Sequence, residues 1–231
     1  YSDGLVEKPV APPFLAVVKH MAADARVRHL VACNSLISMA GYAAIAWAPV
    51  YFQRVHEFST GESGTFLALA IGVGGGAGTF LGGVMADKLA RKNEGWRAWI
   101  VCITTLVYLP SAYMSYIETD PNTALLWFLG PAAMGGVYIG TNFAILQSLV
   151  PVEMRAVAAA ISLFILNIIG LGLGPLSVGI ISDAYAADMG IDSIRYGLIF
   201  TLAIMLWGAA HEARLGQLLS RTFPSGAAKA S

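Results

Sequence analysis

Two short charged motifs follow long apolar segments of this chain and could form switchable ion pairs. Residues 83–92 read Gly-Val-Met-Ala-Asp-Lys-Leu-Ala-Arg-Lys, and residues 151–156 read Pro-Val-Glu-Met-Arg-Ala. Exposed ion pairs are worth only about 0–1 kcal/mol each, so they can bias two conformations without locking either. We predict a gate in which Arg91 pairs with Glu153. The predicted gate residues are Asp87, Lys88, Arg91, Glu153 and Arg155.

Sparse polar side chains inside the apolar segments could line a substrate cavity. They recur at helical spacing, so that several of them share one face of each segment. The alternative is that each one simply bonds a neighbouring helix. The predicted cavity residues are Asn34, Ser38, Tyr42, Tyr138, Thr141, Asn142 and Asn167.

Metal, cofactor and nucleic-acid chemistry have no support in the sequence. Cys33 and Cys102 stand singly within apolar segments and are predicted to be small buried hydrophobic residues. The net charge is zero, and there is no basic patch beyond the charges that follow the apolar segments. We therefore predict no metal, no cofactor and no nucleic-acid partner. The histidines show no helical pairing that would suit a metal; they are His20, His29, His56 and His211.

The elements that position these residues are membrane-spanning helices. The chain of 231 residues is 57% hydrophobic and 12% charged, whereas soluble domains carry about 25% charged residues. Its mean hydropathy is +0.66. A helix needs about 20 apolar residues to cross a bilayer core of about 30 Å. The predicted spans are residues 30–52, 64–86, 98–117, 124–150, 156–182 and the shorter 196–211.

The charges between the spans predict their orientation. With six spans both ends of the chain lie on one side, and that side collects every Lys and Arg except Arg54 and Arg195 out of 14. By the positive-inside rule both termini are predicted to be cytoplasmic. We predict a cytoplasmic linker with an amphipathic helix over residues 1–28, a six-helix bundle over 29–212 and a cytoplasmic tail over 213–231.

The sequence Gly-Glu-Ser-Gly at 61–64 resembles the G-x-S-G motif of rhomboid proteases, which also have six spans. The serine would need a histidine base, and His211 is at the opposite side of the predicted bilayer from Ser63. A separation of about 30 Å is far beyond the hydrogen-bond reach that general-base catalysis requires. Ser63 is better interpreted as a helix cap, and we predict that the chain is not an enzyme. A channel subunit is a further alternative, but no segment offers a pore loop or a charged ring.

Glycines at four-residue spacing predict close packing of the second and fifth spans. Small residues let helices approach closely in lipid, and a Gly-Pro pair can bend a helix. The predicted packing and hinge residues are Gly74, Gly78, Gly82, Gly83, Gly174 and Pro175.

Together these motifs resemble the major facilitator superfamily of transporters. Residues 83–92 are similar to its loop signature G-x-L-A-D-[RK]-x-G-R-[RK], although Met85 and Ala90 depart from the usual Leu and Gly. The motif at 151–156 and the Asn-Ile-Ile-Gly sequence from 167 also resemble the superfamily. Trp47-Ala-Pro-Val-Tyr-Phe-Gln-Arg-Val-His56 is similar to the Spinster family, which exports lysophospholipids and sphingoid lipids in eukaryotes.

The resemblance implies an all-α membrane fold in which two inverted three-helix repeats form one half, the C-terminal one, of a twelve-helix transporter. It implies alternating access driven by protons, with the N-terminal six-helix half, membrane lipids and an amphipathic lipid as partners. A small organic anion or sugar acid is the alternative substrate. No charged residue lies inside the predicted spans, so proton-coupling groups are expected in the other half. The expected location is a bacterial inner membrane.

Overall fold

A computed structural model describes residues 12–222, and within this range every regular element is helical. We number the principal helices α1 to α7. They are α1 (Phe14–Ala23), α2 (Ala25–Val55), α3 (Thr60–Ala90), α4 (Trp96–Ile117), α5 (Pro121–Leu149), α6 (residues 155–189) and α7 (Ser193–Thr222). The parts of the predicted linker before residue 12 and of the predicted tail after residue 222 lie outside the described residues.

Helices α2 to α7 correspond in order to the six predicted spans. Five helical runs are long and apolar enough to cross a membrane by length and composition, and the last of them, Val152–Thr222, has 71 residues. At 1.5 Å per residue that run would extend about 107 Å, more than three bilayer cores. It folds back at Gly190, whose φ of +55° is readily adopted by glycine, so that α6 and α7 pack side by side.

The short helix α1 precedes the bundle and packs against α2 and α6. Val17 and Met21 are its buried residues, which fits the predicted amphipathic helix. That helix ends at Ala23, not at residue 28, because Asp24 takes an extended conformation and starts α2 by accepting a hydrogen bond from the backbone N–H of Arg26. The Arg26 guanidinium bonded to the same carboxylate lowers the pKa of Asp24.

The middle helix of each three-helix unit contains a wide π-helical turn of six residues. In α3 this turn is Ala70–Gly75, and in α6 it is Ile168–Leu173. The second precedes Pro175, which has no N–H to donate to the preceding turn and therefore breaks the α-helical hydrogen-bond pattern. Such wide turns occur mostly at functional sites. Helix α5 is also interrupted, at Gly135 and Gly136.

Three of the predicted packing glycines are at close helix crossings. A Cβ on Gly78 would overlap the carbonyl oxygen of Ala133 in α5, and one on Gly174 would overlap the carbonyl oxygen of Met39 in α2. A Cβ on Gly82 would overlap the side chain of Val137 in α5.

The remaining predicted glycines differ from these. A Cβ on Gly74 would meet only ordinary contact at 3.9 Å, and nothing lies within 4 Å of one on Gly83. Neither of these two glycines is required for packing within the described residues. The four-residue ladder therefore holds α3 against α5 through Gly78 and Gly82, whereas its first member is not essential.

Helix α7 is longer than the sequence predicted. The predicted span ends at residue 211 and the predicted tail begins at 213, but the helix continues to Thr222. Its last turns remain in the bundle because Leu215 and Leu219 are fully buried. Glu212 is consequently enclosed within the bundle and not at a solvated helix end. The helix therefore continues beyond the predicted end of the sixth span and carries a carboxyl group that directly follows that span.

Candidate functional site: a cavity and a buried polar cluster

A cavity of about 300 Å³ lies between α2, α3 and α5. Of the predicted cavity residues, Ser38, Tyr42 and Tyr138 line it, together with Thr79 and Tyr108. No lining residue is charged. The apolar part of the wall includes Ile37, Ile45, Ile71, Phe128, Ile139 and Met205.

Asn34 and Asn142, also predicted to line the cavity, lie instead in a polar cluster inside the bundle. The Nδ2 of Asn142 donates to Asn34 Oδ1 at 2.9 Å and to Glu212 Oε2 at 3.1 Å. All three side chains are buried, with at most 3% of their surface exposed. Helical spacing identified the correct face of α2 and α5. It could not show that these residues are one turn beyond the cavity, at a point where α7 covers them.

The two other predicted cavity residues are placed separately. Thr141 is buried, and its hydroxyl donates to the Val137 carbonyl of its own helix at 3.1 Å. Asn167 is exposed just before the wide turn of α6, where its Oδ1 is 3.4 Å from the Tyr42 hydroxyl. Asn167 thus extends the polar edge of the cavity through Tyr42, while Thr141 does not line it.

A second, more open cleft of about 570 Å³ lies between α1, α2 and α6. Its wall is almost entirely apolar. The polar side chains in the wall are those of Arg28, Ser35 and His211. The His211 Nδ1 is 2.9 Å from the His29 Nδ1, so one ring must donate and the other accept. This contact could not be predicted from helical spacing, because 182 residues separate the two histidines.

The predicted gate residues form a different ion pair from the one expected. Asp87 pairs with Arg97 at the start of α4, and Arg97 also bonds Glu94 at 2.7 Å. Among residues 12–222, Arg91 and Glu153 form no ion pair with each other, which corrects the predicted contact. Asp87 bonds a residue ten positions later in the chain because the turn between α3 and α4 is short. That turn brings Arg97 beside Asp87. A role for Asp87, Lys88, Arg91, Glu153 and Arg155 as a gate stays a prediction.

At the opposite end of the bundle, Arg195 of α7 contacts α2 and the end of α4. Its guanidinium donates to the carbonyl oxygens of Tyr116 and Glu118 and lies 5.6 Å from the centre of the Tyr51 ring. The Tyr51 hydroxyl bonds the Ser115 carbonyl at 2.7 Å. The sequence identified Arg195 only as a flanking charge, and its contacts depend on the packing of α2, α4 and α7.

His56 follows α2 at the same end and lies 3.0 Å from the Tyr51 hydroxyl. Burial lowers the pKa of His56, and the positive charge of Arg195 acts in the same direction. The imidazole is therefore held in its neutral form as part of this contact network.

The fold and the cavity define a polytopic helical membrane protein whose bundle encloses a small-molecule cavity between its spans. Residues 4–175 match the sequence profile of the Major Facilitator Superfamily, and the chain belongs to this family. Its members are transporters and not enzymes.

Similar proteins agree with this assignment. An "MFS-type efflux pump" of Mycolicibacterium smegmatis is 34% identical over 176 residues, which are 76% of this chain and 41% of the pump. Two crystal structures of a bacterial homologue of the human lysosomal transporter Spinster, both inward-facing, one occupied and one unoccupied, have the same fold. The occupied form has a TM-score of 0.76 at 20% identity, covering 89% of this chain and 52% of that one. The unoccupied form has a TM-score of 0.77 at 18% identity, covering 98% and 55%.

The chain spans about half the length of these relatives, or less. The expected fold, a half-length bundle of the superfamily, is confirmed. The expected resemblance to Spinster is confirmed at the level of the fold.

Proposed function

We propose that this bundle is one half of a proton-coupled secondary-active transporter that moves an amphipathic lipid, such as a lysophospholipid or a sphingoid lipid, by alternating access. The observation that supports this substrate class is the wall of the cavity, which combines apolar side chains with hydroxyl groups and has no charged side chain. Ligand sites of this kind accept apolar molecules and orient them with a few polar contacts.

The same wall argues against the alternative substrate. A sugar acid or another small anion loses its hydration on entering a cavity, and that loss must be offset by a cation or by several donors. Ser38, Tyr42 and Tyr138 offer hydroxyl groups only. The apolar wall suits the hydrocarbon chain of a lipid, whose charged headgroup would find its partners outside this cavity, whereas a sugar acid has no apolar part to place here.

The proposed partner is a second six-helix half of the same protein. In α3 only 17% of the most apolar window is buried within this bundle, compared with 50% in α2. The exposed side chains of α3 and α6 include Leu81 and Phe164, which are 58% and 67% exposed. A face this apolar suits contact with another helical half or with lipid tails.

In the proposed arrangement both termini are cytoplasmic in a bacterial inner membrane. The ion pair of Asp87 and Arg97 is then on the cytoplasmic side, where it would close that side and open during transport. The name of the Mycolicibacterium relative, an efflux pump, supports export as the direction.

The test uses the full-length transporter in proteoliposomes with and without a proton gradient. Labelled lysophospholipid or sphingoid base is compared with a labelled sugar acid. We expect gradient-dependent movement of the lipid alone, and we expect Tyr138→Phe to reduce it. Tyr113→Phe is the matched control, because Tyr113 is exposed on α4 and is not part of the cavity wall. Movement of the sugar acid alone would refute the lipid proposal and leave the family assignment intact.

A further inference from the structure

Glu212 is a buried carboxyl group that forms no ion pair with a cation in the part of the chain that the structure describes. It is 0% exposed in the middle of the contact between α7, α2 and α5. The ion pairs among residues 12–222 do not include it. Its single hydrogen bond to a side-chain amide is the 3.1 Å contact from Asn142 Nδ2 to Oε2, and its Oε1 has no partner in the described part of the chain.

The groups around Glu212 are neutral on every element that packs against it. Helix α2 presents the Cys33 thiol and the Asn34 amide, and α4 presents the Cys102 thiol, which contacts the α7 backbone at the Ala209 carbonyl. Helix α5 presents the Asn142 amide, whose Oδ1 is also without a partner.

Toward the basic end, on α7 itself, His211 precedes Glu212 and Arg214 follows two residues later. Arg214 is exposed and bonds Gln217, and His211 contacts His29. Among residues 12–222, no charged side chain forms an ion pair with the carboxylate.

An ionised carboxylate in such a place would lose its hydration without gaining a counter-ion, which is unfavourable enough that the group takes up a proton instead. The protonated form is neutral and gains an O–H donor in a cluster that contains an unpartnered acceptor, Asn142 Oδ1. The conformation seen here therefore fits Glu212 with its proton bound.

The position of Glu212 connects the cavity to the basic end of the bundle. Asn34 and Asn142 are each four residues from cavity-lining positions, Ser38 and Tyr138, a distance of about 6 Å along a helix. In the other direction, the partly exposed pair of His29 and His211 lies directly beside the cluster. A rearrangement of α7 against α2 and α5 would open the carboxyl group to water from one of these two directions.

We propose that Glu212 is a proton-binding site of this half of the transporter, protonated in the conformation seen here and deprotonated when α7 moves away from Asn142. The ligand is a proton, which adds to the carboxylate to give the neutral acid and leaves to water when the cluster opens. This differs from the expectation that coupling groups lie only in the other half. Its coupling role rests on the proposed transport function, whereas the protonation itself does not.

Protonation can be tested on the full-length wild-type protein without any substitution. Dicyclohexylcarbodiimide adds to protonated carboxyl groups in apolar surroundings, and mass spectrometry locates the adduct. We expect labelling of Glu212 at neutral pH that falls by about tenfold per pH unit once the group ionises at alkaline pH. Absence of the adduct at every pH, or labelling that does not change with pH, would overturn the proposal.

A pair of variants then tests coupling. Glu212→Gln keeps the shape of the side chain and mimics the protonated state, and Asp188→Asn is the control at an exposed carboxylate of α6. We expect Glu212→Gln to retain substrate counterflow without a gradient and to lose the stimulation by a proton gradient, whereas Asp188→Asn retains both. Full stimulation in Glu212→Gln would overturn the coupling role.

The two proposals fail separately. If the adduct forms with the expected pH dependence but no lipid moves, the substrate proposal is wrong and the proton site stands. If the lipid moves with the gradient but Glu212 is never labelled, the proton site is wrong and the transport proposal stands.

Discussion

Gly78→Ala should separate α3 from α5, because the added Cβ would overlap the backbone carbonyl oxygen of Ala133. A backbone atom cannot rotate aside as a flexible side chain would, so one helix must move. Overpacking of this kind costs about 1–3 kcal/mol. The same substitution gains about 0.5–1 kcal/mol of helix stability by replacing glycine.

Gly76→Ala isolates the packing effect. Gly76 is in the same helix two residues earlier, and nothing lies within 4 Å of a Cβ placed there. Both variants gain the same helix propensity, so their difference in unfolding free energy equals the packing cost of about 1–3 kcal/mol. That difference corresponds to about 2–4 °C in the melting temperature for each kcal/mol.

The assay is reversible unfolding of the full-length protein in mild detergent, supported by thermal melting of the same samples. We expect Gly78→Ala to be less stable than Gly76→Ala by the amount above. Equal stabilities, or a Gly78→Ala variant that is the more stable of the two, would refute the packing of α3 against α5 described here.

Three further predictions concern the two ends of the bundle. Arg195→Gln should lower the free energy of unfolding by about 1–3 kcal/mol in the same assay, because two partly buried carbonyl oxygens lose their donor, whereas the exposed Arg54→Gln should change little. Asp24→Asn should lower stability by up to about 1 kcal/mol at neutral pH, because asparagine still caps the helix but cannot form the ion pair with Arg26. Since the pKa of Asp24 in the folded protein is below its ordinary value of 3.8, its contribution is complete above that value, and the difference between Asp24→Asn and wild type should fade as the pH falls through the folded pKa. Asp87→Asn should reduce the transport rate while ligand binding persists, whereas Glu94→Gln keeps the Asp87 ion pair and should transport normally; equal rates in the two variants would refute the gate.

The sequence predicted the order of the long apolar helices because the physics of the bilayer is strict: a stretch without charge that is long enough to cross has few other uses. The spacing of the glycines and the Gly-Pro pair separately predicted Gly78 and Gly174 as packing or hinge residues, and both lie at helix crossings. The polar residues at helical spacing predicted only part of the cavity wall. Ser38 and Tyr138 line the cavity, but periodicity gives only the face of a helix and not the depth at which another helix covers it.

Glu212 shows how a span predicted from the absence of charge can end too early. The predicted span ends at residue 211 because a charged residue follows, and the carboxyl group at position 212 is placed at the very end of the predicted bundle with no role of its own. The small and apolar residues Met205, Ala209, Leu215 and Leu219 continue the same helical stripe on both sides of position 212. That pattern was available in the sequence and would have predicted a buried glutamate. Its partners Asn34 and Asn142 could not be read from spacing, because they come from two other helices.

The two wide turns make α3 and α6 adjustable in register. A π turn holds one residue more than the α turn it replaces, and each residue of an α-helix accounts for about 100° of rotation and 1.5 Å of length. Shifting Ala70–Gly75 or Ile168–Leu173 along its helix would turn a whole segment about its axis without breaking the chain. Side chains such as Phe80 and Ile180, which are exposed at the bundle surface here, would then point in a different direction around the helix axis. One such turn is present in each three-helix unit, so the same adjustment is available to α3 and to α6.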